Sequence, residues 1–333
     1  MASESDKSRK PSFDSFSSLF VPYERVKSVD QALGRLLKYG AGDPVAGKAA
    51  KLLMLTGPAR SGKTTLLNRF QQLYPTTTLG DADTRPIIVH GLIEKTSIKD
   101  LATGLLIKLG DGAPDKGTRA KRVERVAHHI REQRVRLIIL DEGHHLIDSD
   151  SDKVIYSVSE SIKSLLNLGL CPIVLSGMPD TEIVVDGNPQ LQGRLFERCR
   201  LTGFDWKDLD ERTTFRLILH RFDTETPLPK RASLGDPGMA LRIWRATHGL
   251  VGLVAQLLES AVVDAIEEGA ECLMQARLAA AFDKLHSRDA ETNPFRKRSV
   301  SADDEPIKFG PAMKLGRKTG LAKGKRRNPE MPI

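Results

Sequence analysis

Apolar runs and helical stripes alternate along the first two thirds of the chain. Short apolar segments between polar or turn residues predict five strands, over residues 51–56, 86–91, 136–141, 171–176 and 199–204. Apolar residues at helical spacing predict helices over residues 28–37, 98–109, 123–130 and 155–166. Strands that alternate with helices predict a mostly parallel sheet covered on both faces. We therefore expect an α/β fold with a sheet of about five strands.

The pattern becomes wholly helical after a loop that is rich in proline and glycine. This loop spans residues 227–238, and apolar stripes follow it over residues 239–244, 253–265 and 278–285. These stripes predict a small C-terminal helical lid. The predicted domains are a flexible N-terminal arm (1–27), an α/β core (28–226), a helical lid (227–286) and a basic, disordered tail (287–333).

The composition predicts a soluble protein with a hydrophobic core. Apolar residues make up 40% of the chain, and no apolar stretch approaches the roughly 20 residues of a membrane span. The polar start of the sequence lacks the apolar region of a secretory signal. Cys171, Cys199 and Cys272 lie too far apart for a disulfide framework or a zinc site. We expect a cytoplasmic protein that makes no membrane contact.

Positive charge is concentrated near the C-terminus. The whole chain has a net charge of +8. Residues 296–327 alone carry eleven Lys or Arg against three acids, which is also a net charge of +8. Such a tail suits a polyanion or an acidic partner surface, and a tail that only improves solubility is the alternative.

Residues 57–64 read GPARSGKT and match the phosphate-binding pattern GxxxxGK[ST]. An apolar run precedes the pattern as a strand, and a predicted helix follows it, which is the setting that such a loop requires. Backbone N–H groups of the loop and the start of the helix bind phosphate oxygens. Lys63 is expected to reach the β- and γ-phosphates, and the Thr64 hydroxyl to hold Mg²⁺. The loop residues expected to bind nucleotide are Gly57, Pro58, Ala59, Arg60, Ser61, Gly62, Lys63, Thr64 and Thr65.

A second motif, LIILDE over residues 137–142, is an apolar run that ends in two acids. Ligands of open α/β sheets bind at the carboxyl ends of the strands, where these acids fall. Asp141 is expected to bind nucleotide through Mg²⁺, which it holds together with Thr64. Glu142 is expected to orient and polarise the attacking water, which favours hydrolysis over binding alone. Ser176 ends the next predicted strand and is expected to contact the γ-phosphate or the attacking water.

Two arginines and two histidines extend this set. Arg194 and Arg198 precede the last predicted strand, and on a helix they would share one face. An arginine that reaches the neighbouring subunit can stabilise transition-state charge there, and an ordinary surface arginine is the alternative. His144 and His145 have no accompanying Cys, His or acid at metal-ligand spacing, so we interpret them as loop residues near the element that senses the γ-phosphate.

With these motifs in order, the chain resembles the AAA+ ATPases. Residues 57–64 resemble Walker A, residues 137–142 resemble Walker B, Ser176 falls at sensor 1, and Arg194 or Arg198 falls at the arginine-finger position. Within the superfamily the chain is most similar to the TniB/TnsC group, ATPase regulators of bacterial transposition. The features that support this group are the entry segment 22–37, the DEGH sequence at 141–144 and the Asn293-Pro294-Phe295 motif. One departure is HGLVG at 248–252, which lacks the usual sensor 2 arginine of the lid and makes a trans-acting arginine more important.

The resemblance implies an ATP- and Mg²⁺-dependent ring or helical filament on duplex DNA, formed without sequence preference. It implies that the assembly links a TniQ-type target selector to a DDE transposase, and that hydrolysis disassembles it. The DNA-facing residues would come from loops and helix starts after the second strand, where basic and hydroxyl groups grip phosphates. These residues are Lys95, Thr96, Ser97 and Lys99 in one place, and Thr118, Arg119, Lys121 and Arg122 in another. Ordinary solvated helix ends are the alternative for both sets.

Two other functions fit the same motifs. One is a signalling ATPase of the STAND type, in which nucleotide switches an assembly and DNA plays no part. The other is an ATPase that loads helicases or initiates replication. The sequence after the lid shows no repeat pattern, which weighs against the first, and no evident helix-turn-helix, which weighs against the second.

Overall fold

A parallel five-stranded sheet forms the centre of the molecule. The computed structural model describes residues 12–79, 82–93, 97–146, 152–286, 292–304 and 307. The strands are β1 (Leu52–Thr56), β2 (Thr77–Leu79), β3 (Ala82–Thr84), β4 (Ile87–Gly91), β5 (Leu137–Asp141), β6 (Ile173–Gly177) and β7 (Leu195–Arg200). The main sheet has the order β4-β5-β6-β1-β7, with every neighbouring pair parallel, and β2 and β3 form a separate antiparallel pair. The predicted α/β fold with five parallel strands is confirmed.

The central strands are apolar because helices cover both of their faces. Along β1, Leu53 and Leu55 belong to one buried cluster, whereas Leu52 and Met54 belong to another. Successive side chains of a strand point to opposite faces, so both faces of β1 are buried in hydrophobic cores. Central strands of this kind appear in the sequence as unbroken apolar runs, and four of the five predicted strands match the structure.

The helices are α1 (Phe13–Ser17), α2 (Glu24–Tyr39), α3 (Lys63–Gln72), α4 (Ile98–Leu109), α5 (Arg119–Glu132), α6 (Asp152–Asn167), α7 (Ile183–Asp186), α8 (Pro189–Gln192), α9 (Leu209–Glu225), α10 (Pro237–Thr247), α11 (Val251–Glu267) and α12 (Gln275–His286). Two 3₁₀ helices, Gly143–Leu146 and Pro179–Glu182, follow β5 and β6 respectively. The helices that the sequence predicts within the core are all present, with longer bounds at several ends.

The last strand lies earlier in the chain than the sequence predicts. We expected it over residues 199–204, but β7 spans Leu195–Arg200. Among the described strands it pairs with β1 alone and forms an edge of the sheet, so it tolerates the charged Glu197, Arg198 and Arg200, and no apolar run marks its position. Leu201 and Phe204 are buried in the loop beyond it. The apolar residues that suggested a strand belong to that loop.

The predicted flexible arm over residues 1–27 is wrong for its second half. Residues 13–17 form α1, which Ser12 caps by accepting a hydrogen bond from the Ser15 N–H, and α2 already begins at Glu24. Phe16 is only 2% exposed and meets the Phe222 ring edge-on, with 6.1 Å between ring centroids. The serine-rich composition of this segment favoured a flexible arm, although Phe16 packs into the core. Residues 1–11 lie outside the described residues.

The helical part of the molecule begins earlier and ends later than predicted. The chain leaves the sheet at Arg200, and α9, which packs on α10, precedes the predicted lid boundary at residue 227. Residues 292–304 also pack on the lid, although we expected a disordered tail from residue 287. Asn293 is fully buried and donates to Ala279 O and Asp283 Oδ1, and Phe295 is 3% exposed. Of the remaining tail, the described part is residue 307.

Candidate nucleotide-binding site

The phosphate-binding loop lies between the end of β1 and the start of α3. Gly62 adopts φ +94° at the N-cap of α3, a left-handed conformation that a glycine adopts without strain. The loop therefore turns directly into the helix, whose N-terminus faces the space above the strand ends. Lys63, the first residue of α3, is 8% exposed. Its Nζ donates to Gly57 O at 2.8 Å and to Pro58 O at 3.0 Å.

The Lys63 ammonium belongs to a cluster of charges at the sheet edge. Burial lowers its pKa, and the nearby carboxylates of Asp141 and Glu142 oppose that shift. An isolated buried ammonium costs free energy, so its position inside the loop requires compensating oxygens. Two loop carbonyls supply them here, and phosphate oxygens are the matching ligands for the same group.

Asp141 is the most constrained side chain of the site. Its Oδ2 accepts from Thr64 Oγ1 at 2.7 Å, and its Oδ1 accepts from Ser176 Oγ at 2.7 Å and from the Glu142 N–H at 2.9 Å. Asp141 is 4% exposed. β5 lies between β4 and β6 in the sheet, so Asp141 ends its strand level with Gly91 and next to Ser176. The structure thus brings Thr64, Asp141 and Ser176 together at one edge of the sheet.

Ser176 is fully buried, and its hydroxyl donates to Asp141. It bonds to one oxygen of the Asp141 carboxylate and leaves the other for Thr64. In this arrangement Ser176 orients the acid. Its contact with the γ-phosphate or the attacking water stays a prediction.

Glu142 differs from its neighbour in both exposure and backbone. Its side chain is 48% exposed, and its φ of +59° is unusual for a residue that is not glycine. Such conformations are concentrated at functional sites, because they cost free energy that the surrounding structure must supply. The exposed carboxylate faces a cavity of about 680 Å³.

Three parts of the chain line this cavity. The N-terminal segment, the phosphate-binding loop with the ends of β5 and β6, and α11 each contribute one side. The lining residues are Ser17, Leu19, Ala59, Arg60, Gly62, Lys63, Thr64, Thr65, Glu142, His144, Met178, Gly252, Ala255, Gln256 and Glu259. The cavity thus joins the predicted nucleotide-binding residues to the lid.

The lid presents an acid, Glu259, to the cavity. Among the described lining residues the one arginine is Arg60, which belongs to the phosphate-binding loop. Burial raises the pKa of Glu259, and the charge of Arg60 opposes that rise. Arg60 has φ +63°, and a Cβ on Gly252 would collide with its carbonyl oxygen. The lid helix therefore rests on the loop backbone at Arg60, where that backbone has a left-handed conformation.

A family model described as "Bacterial TniB protein" matches residues 16–207, which is more than half of the chain. The chain belongs to the TniB family. The match begins within α1 and ends in the loop before α9, so it contains the phosphate-binding loop, Asp141 and Ser176. Among curated proteins, none matches this chain.

Solved structures show which fold this TniB-family chain has. It is similar to Cdc6p from Pyrobaculum aerophilum, with a TM-score of 0.56, 16% identity, and coverage of 81% of this chain and 70% of that one. It is similar to the Aeropyrum pernix ORC2 protein, solved as ADPNP–ADP complexes, with a TM-score of 0.54, 13% identity, and coverage of 85% and 73%. The Aeropyrum pernix ORC1 protein in complex with DNA gives a TM-score of 0.50, 15% identity, and coverage of 80% and 66%. The predicted AAA+ fold is confirmed.

The candidate trans-acting arginines lie just before β7 and within it, and do not share a helix face. Arg194 directly precedes β7, and it donates to Gln190 O at 2.9 Å and to Asn167 Oδ1 at 2.5 Å. Arg198 lies within β7 and pairs with Glu182 at 3.3 Å and with Asp186. Both guanidinium groups are engaged within their own subunit.

Arg200 and Glu182 are site residues that sequence reasoning missed. Arg200 donates through Nε and Nη2 to the two oxygens of Glu182, at 2.8 and 2.6 Å. Glu182 also accepts from Thr56 Oγ1 at 2.8 Å, at the end of the strand that leads into the phosphate-binding loop. The hydrogen bond from Arg200 is the main cause that lowers the pKa of Glu182. No local motif marks this network, because its members come from three separate segments.

The predicted DNA-facing residues lie at helix starts, as far as they are described. Lys95 and Thr96 lie outside the described residues, while Ser97 caps α4 and Thr118 caps α5. Lys99, Arg119 and Lys121 are exposed in the first turns. Arg122 is different, because it is 6% exposed and donates to Thr103 Oγ1 at 2.6 Å and to Gly117 O at 3.2 Å. It holds α5 on α4.

The two helix starts lie at the same end of the helix pair. Arg122, near the start of α5, contacts Thr103 in α4, and Gln133, just beyond α5, donates to Leu109 O at the end of α4. The helices therefore run in the same direction. α4 follows β4 directly, so both starts lie towards the carboxyl edge of the sheet.

No single helix among the described residues is both long and apolar enough to cross a membrane. α10 and α11 meet the length and composition criteria only as a pair, and they are bent by 107° relative to each other.

Proposed function

We propose that this TniB-family chain binds ATP with Mg²⁺ and hydrolyses it. The observation that carries the proposal is the arrangement around Asp141. Thr64 and Ser176 hold this buried carboxylate from two sides, and Lys63 and the exposed Glu142 lie beside it at one cavity. The family match and the AAA+ fold support the same reading.

The residues present fit a magnesium–nucleotide complex. Mg²⁺ prefers oxygen ligands, and the Thr64 hydroxyl and Asp141 carboxylate already lie 2.7 Å apart. The turn at Gly62 and the N-terminus of α3 suit phosphate oxygens. The bound magnesium ion would neutralise phosphate charge during phosphoryl transfer. Lys63 would exchange its two carbonyl partners for phosphate oxygens, and Ser176 would keep Asp141 oriented.

Glu142 is suited to act on water. Its carboxylate faces the cavity and is not held by Ser176 or Thr64, which both bond to Asp141. A carboxylate that faces the cavity can accept a proton from a water molecule and orient that water for in-line attack. The two adjacent acids thus have separate roles, which their different exposures support.

We also propose that the protein acts as a homo-oligomer, ring or filament, with an arginine completing the neighbouring site. Arg194 and Arg198 remain candidates, and Arg200 joins them because its side chain is 61% exposed. Glu182 holds Arg198 and Arg200, and it also contacts Thr56 at the base of the phosphate-binding loop. This network offers a physical connection between one site and the arginines presented to the next.

Duplex DNA is the proposed surface for this assembly. The exposed Lys99, Arg119 and Lys121 lie at helix starts that share one end of α4 and α5. Basic groups at helix starts bind phosphates without reading sequence. The ORC1 protein of the same fold was solved with DNA, which supports the proposal. In our proposal the assembly links a TniQ-type target selector to a DDE transposase, and hydrolysis disassembles it.

Electron microscopy of the full chain with duplex DNA tests the proposal most directly. With ATP and Mg²⁺ we expect rings threaded by DNA or helical filaments, and with Lys63→Ala we expect neither. Lys284→Ala is a matched control, because Lys284 pairs with Asp264 in the lid, outside the residues that line the cavity. Binding should weaken steeply with salt and depend little on sequence. Assembly that forms without nucleotide, or that does not depend on DNA, would contradict the proposal.

A further inference from the structure

Three metal-binding side chains meet just beyond the end of β5. The Glu142 carboxylate and one ring nitrogen each from His144 and His145 all lie within 4.8 Å of one another. The two imidazole rings are 4.3 Å apart between centroids and are tilted by 35°. From the sequence we predict no metal site at these histidines, because no Cys, His or acid lies at conventional metal-ligand spacing from them. The turn after β5 brings Glu142 and the two histidines together instead.

The separation of His144 Nδ1 and Glu142 Oε2 fits two ligands of one metal ion better than a hydrogen bond. His144 Nδ1 lies 3.2 Å from Glu142 Oε2, yet this buried nitrogen makes no hydrogen bond to any described residue. Zinc bonds to nitrogen and oxygen of about 2.0–2.1 Å place neighbouring ligands of a tetrahedron about 3.3 Å apart. The Nδ1–Oε2 pair therefore has the separation of one tetrahedral edge.

The backbone holds the cluster in place. Glu142 keeps its strained φ of +59°, and a Cβ on the next residue, Gly143, would lie 2.7 Å from Thr181 Cγ2. The turn after β5 is thus packed closely against the turn after β6. Strain of this kind persists only where the surroundings enforce it, and ligand clamps are among the places where it is found.

The ligand chemistry differs from that of the neighbouring magnesium pair. Thr64 and Asp141 offer oxygen alone, which suits Mg²⁺. Two imidazoles and one carboxylate suit Zn²⁺ and similar divalent ions, and three protein ligands leave a fourth position open. We propose that Glu142, His144 and His145 form a binding site for a zinc-class divalent cation, built from ligands that the magnesium pair does not use.

Occupation of this site would have a consequence for catalysis. The ion would engage the carboxylate that our proposed function assigns to the attacking water. Zinc-class ions would then inhibit ATP hydrolysis and leave ATP binding in place. This consequence rests on the proposed function, whereas the site itself does not.

Metal titration of the full chain without nucleotide tests the site. After chelator treatment and its removal, we expect one Zn²⁺ per chain by calorimetry and the visible absorption of tetrahedral Co²⁺. His145→Ala and His144→Ala should each weaken Zn²⁺ binding at least about 100-fold, because a lost ligand costs more than a lost outer-shell partner. His128→Ala is the matched control, since His128 neighbours another histidine, His129, with 5.8 Å between ring centroids. Equal Zn²⁺ affinity in the wild type and both ligand variants overturns the proposal.

A second measurement separates this proposal from the proposed function. ATP turnover of each variant with Mg²⁺ is compared with and without Zn²⁺, and each variant serves as its own reference. Inhibition should disappear in His145→Ala and persist in His128→Ala. Zinc binding without any ATP turnover in the wild type would contradict the proposed function and leave the site standing. ATP turnover in the wild type without zinc binding would contradict the metal site and leave the proposed function standing.

Discussion

Two of the three sides of the candidate nucleotide cavity are built in opposite ways: the side formed by the loop and strand ends, here called the core wall, and the side formed by α11, the lid wall. The core wall presents Lys63 and Glu142 to the cavity, and the buried Asp141 beside them accepts hydrogen bonds from Thr64 and Ser176. The lid wall, made of Gly252, Ala255, Gln256 and Glu259 of α11, meets the loop through a close backbone approach and brings an acid. The residues that we propose to bind and hydrolyse the nucleotide thus lie mainly at strand ends, whose positions the sheet fixes. The lid contributes shape, and the arginine that lines the cavity near Glu259, Arg60, comes from the opposite wall.

The largest expected effect comes from the core wall. Glu142→Gln keeps the shape of the side chain but removes its ability to accept a proton. ATP hydrolysis should fall about 1000-fold, within the usual contribution of a general base. ATP affinity should change little, because Lys63, Thr64 and Asp141 remain. Phosphate release and equilibrium nucleotide binding measure the two quantities.

Glu259→Gln is the matched change on the lid wall. It should alter hydrolysis by less than about tenfold, or 1.4 kcal/mol, because Glu259 is not expected to touch the reacting atoms. If Glu259→Gln slowed ATP hydrolysis as much as Glu142→Gln does, the proposal that catalysis depends mainly on the core wall would be wrong.

The next effect probes the contact between the walls. Gly252→Ala places a methyl group against the Arg60 carbonyl oxygen. Overpacking of this kind costs about 1–3 kcal/mol, so the lid should close less tightly and ATP affinity should weaken about tenfold or more. Nucleotide binding measured by calorimetry checks this result. Gly238→Ala is the control, because a Cβ there meets nothing within 4 Å, and unaltered affinity in Gly252→Ala would rule out the close approach.

A smaller effect is expected at the network behind the core wall. Glu182→Gln removes the charge that Arg200 and Arg198 share, and it should lower the free energy of unfolding by about 1–2 kcal/mol at pH 7. The pKa of Glu182 is lowered in the folded chain, chiefly by the hydrogen bond from Arg200, so this stabilisation is fully present above the ordinary pKa of a glutamate in the unfolded chain. It disappears as the pH falls through the folded pKa. Urea unfolding of both proteins across this range should show the difference shrinking in acid.

Glu268→Gln is the control for this network. Glu268 pairs with Arg277 but its side chain is 63% exposed, and surface pairs contribute about 0–1 kcal/mol. If Glu182→Gln costs no more than Glu268→Gln, the network does not stabilise the fold.

The smallest effect separates strain from charge at Arg60. Arg60→Gly and Arg60→Ala both remove the guanidinium near Glu259, but only glycine relieves the left-handed backbone at φ +63°. Arg60→Gly should therefore be more stable than Arg60→Ala by about 0.5–1 kcal/mol, after the greater entropy of glycine in the unfolded chain is subtracted. Thermal unfolding of the two variants measures this difference. Equal stabilities would mean that the loop relaxes without cost.

The sequence predicts the core wall well because its residues follow local rules. Buried strands appear as apolar runs, and Asp141 and Ser176 end two such runs that lie side by side in the sheet. The phosphate-binding loop is a continuous motif, so its residues were found together. The same rules fail at β7, because an edge strand needs no apolar run.

Contacts between distant segments could not be predicted in this way. Glu182 meets Thr56 and Arg200 only through the fold, and no spacing in the chain relates them. The cluster of Glu142 with two histidines depends on a strained turn that no sequence pattern predicts. Phe16 and Asn293 are single anchors within polar segments, so composition suggested flexibility where packing occurs.

The N-terminal segment has a practical consequence for how this protein is handled. Phe16 packs against Phe222 of α9, Ser17 and Leu19 line the cavity, and the Arg69 guanidinium of α3 lies 4.2 Å from the centroid of the Phe20 ring. A chain trimmed to residues 16–207, the part that the family model matches, would cut through α1 and discard every helix of the lid. The limits of sequence similarity are therefore not the limits of a folding unit. A protein cut at those limits would keep Lys63, Asp141 and Glu142, but it would lose the α11 side of the cavity and the Phe222 ring against which Phe16 packs.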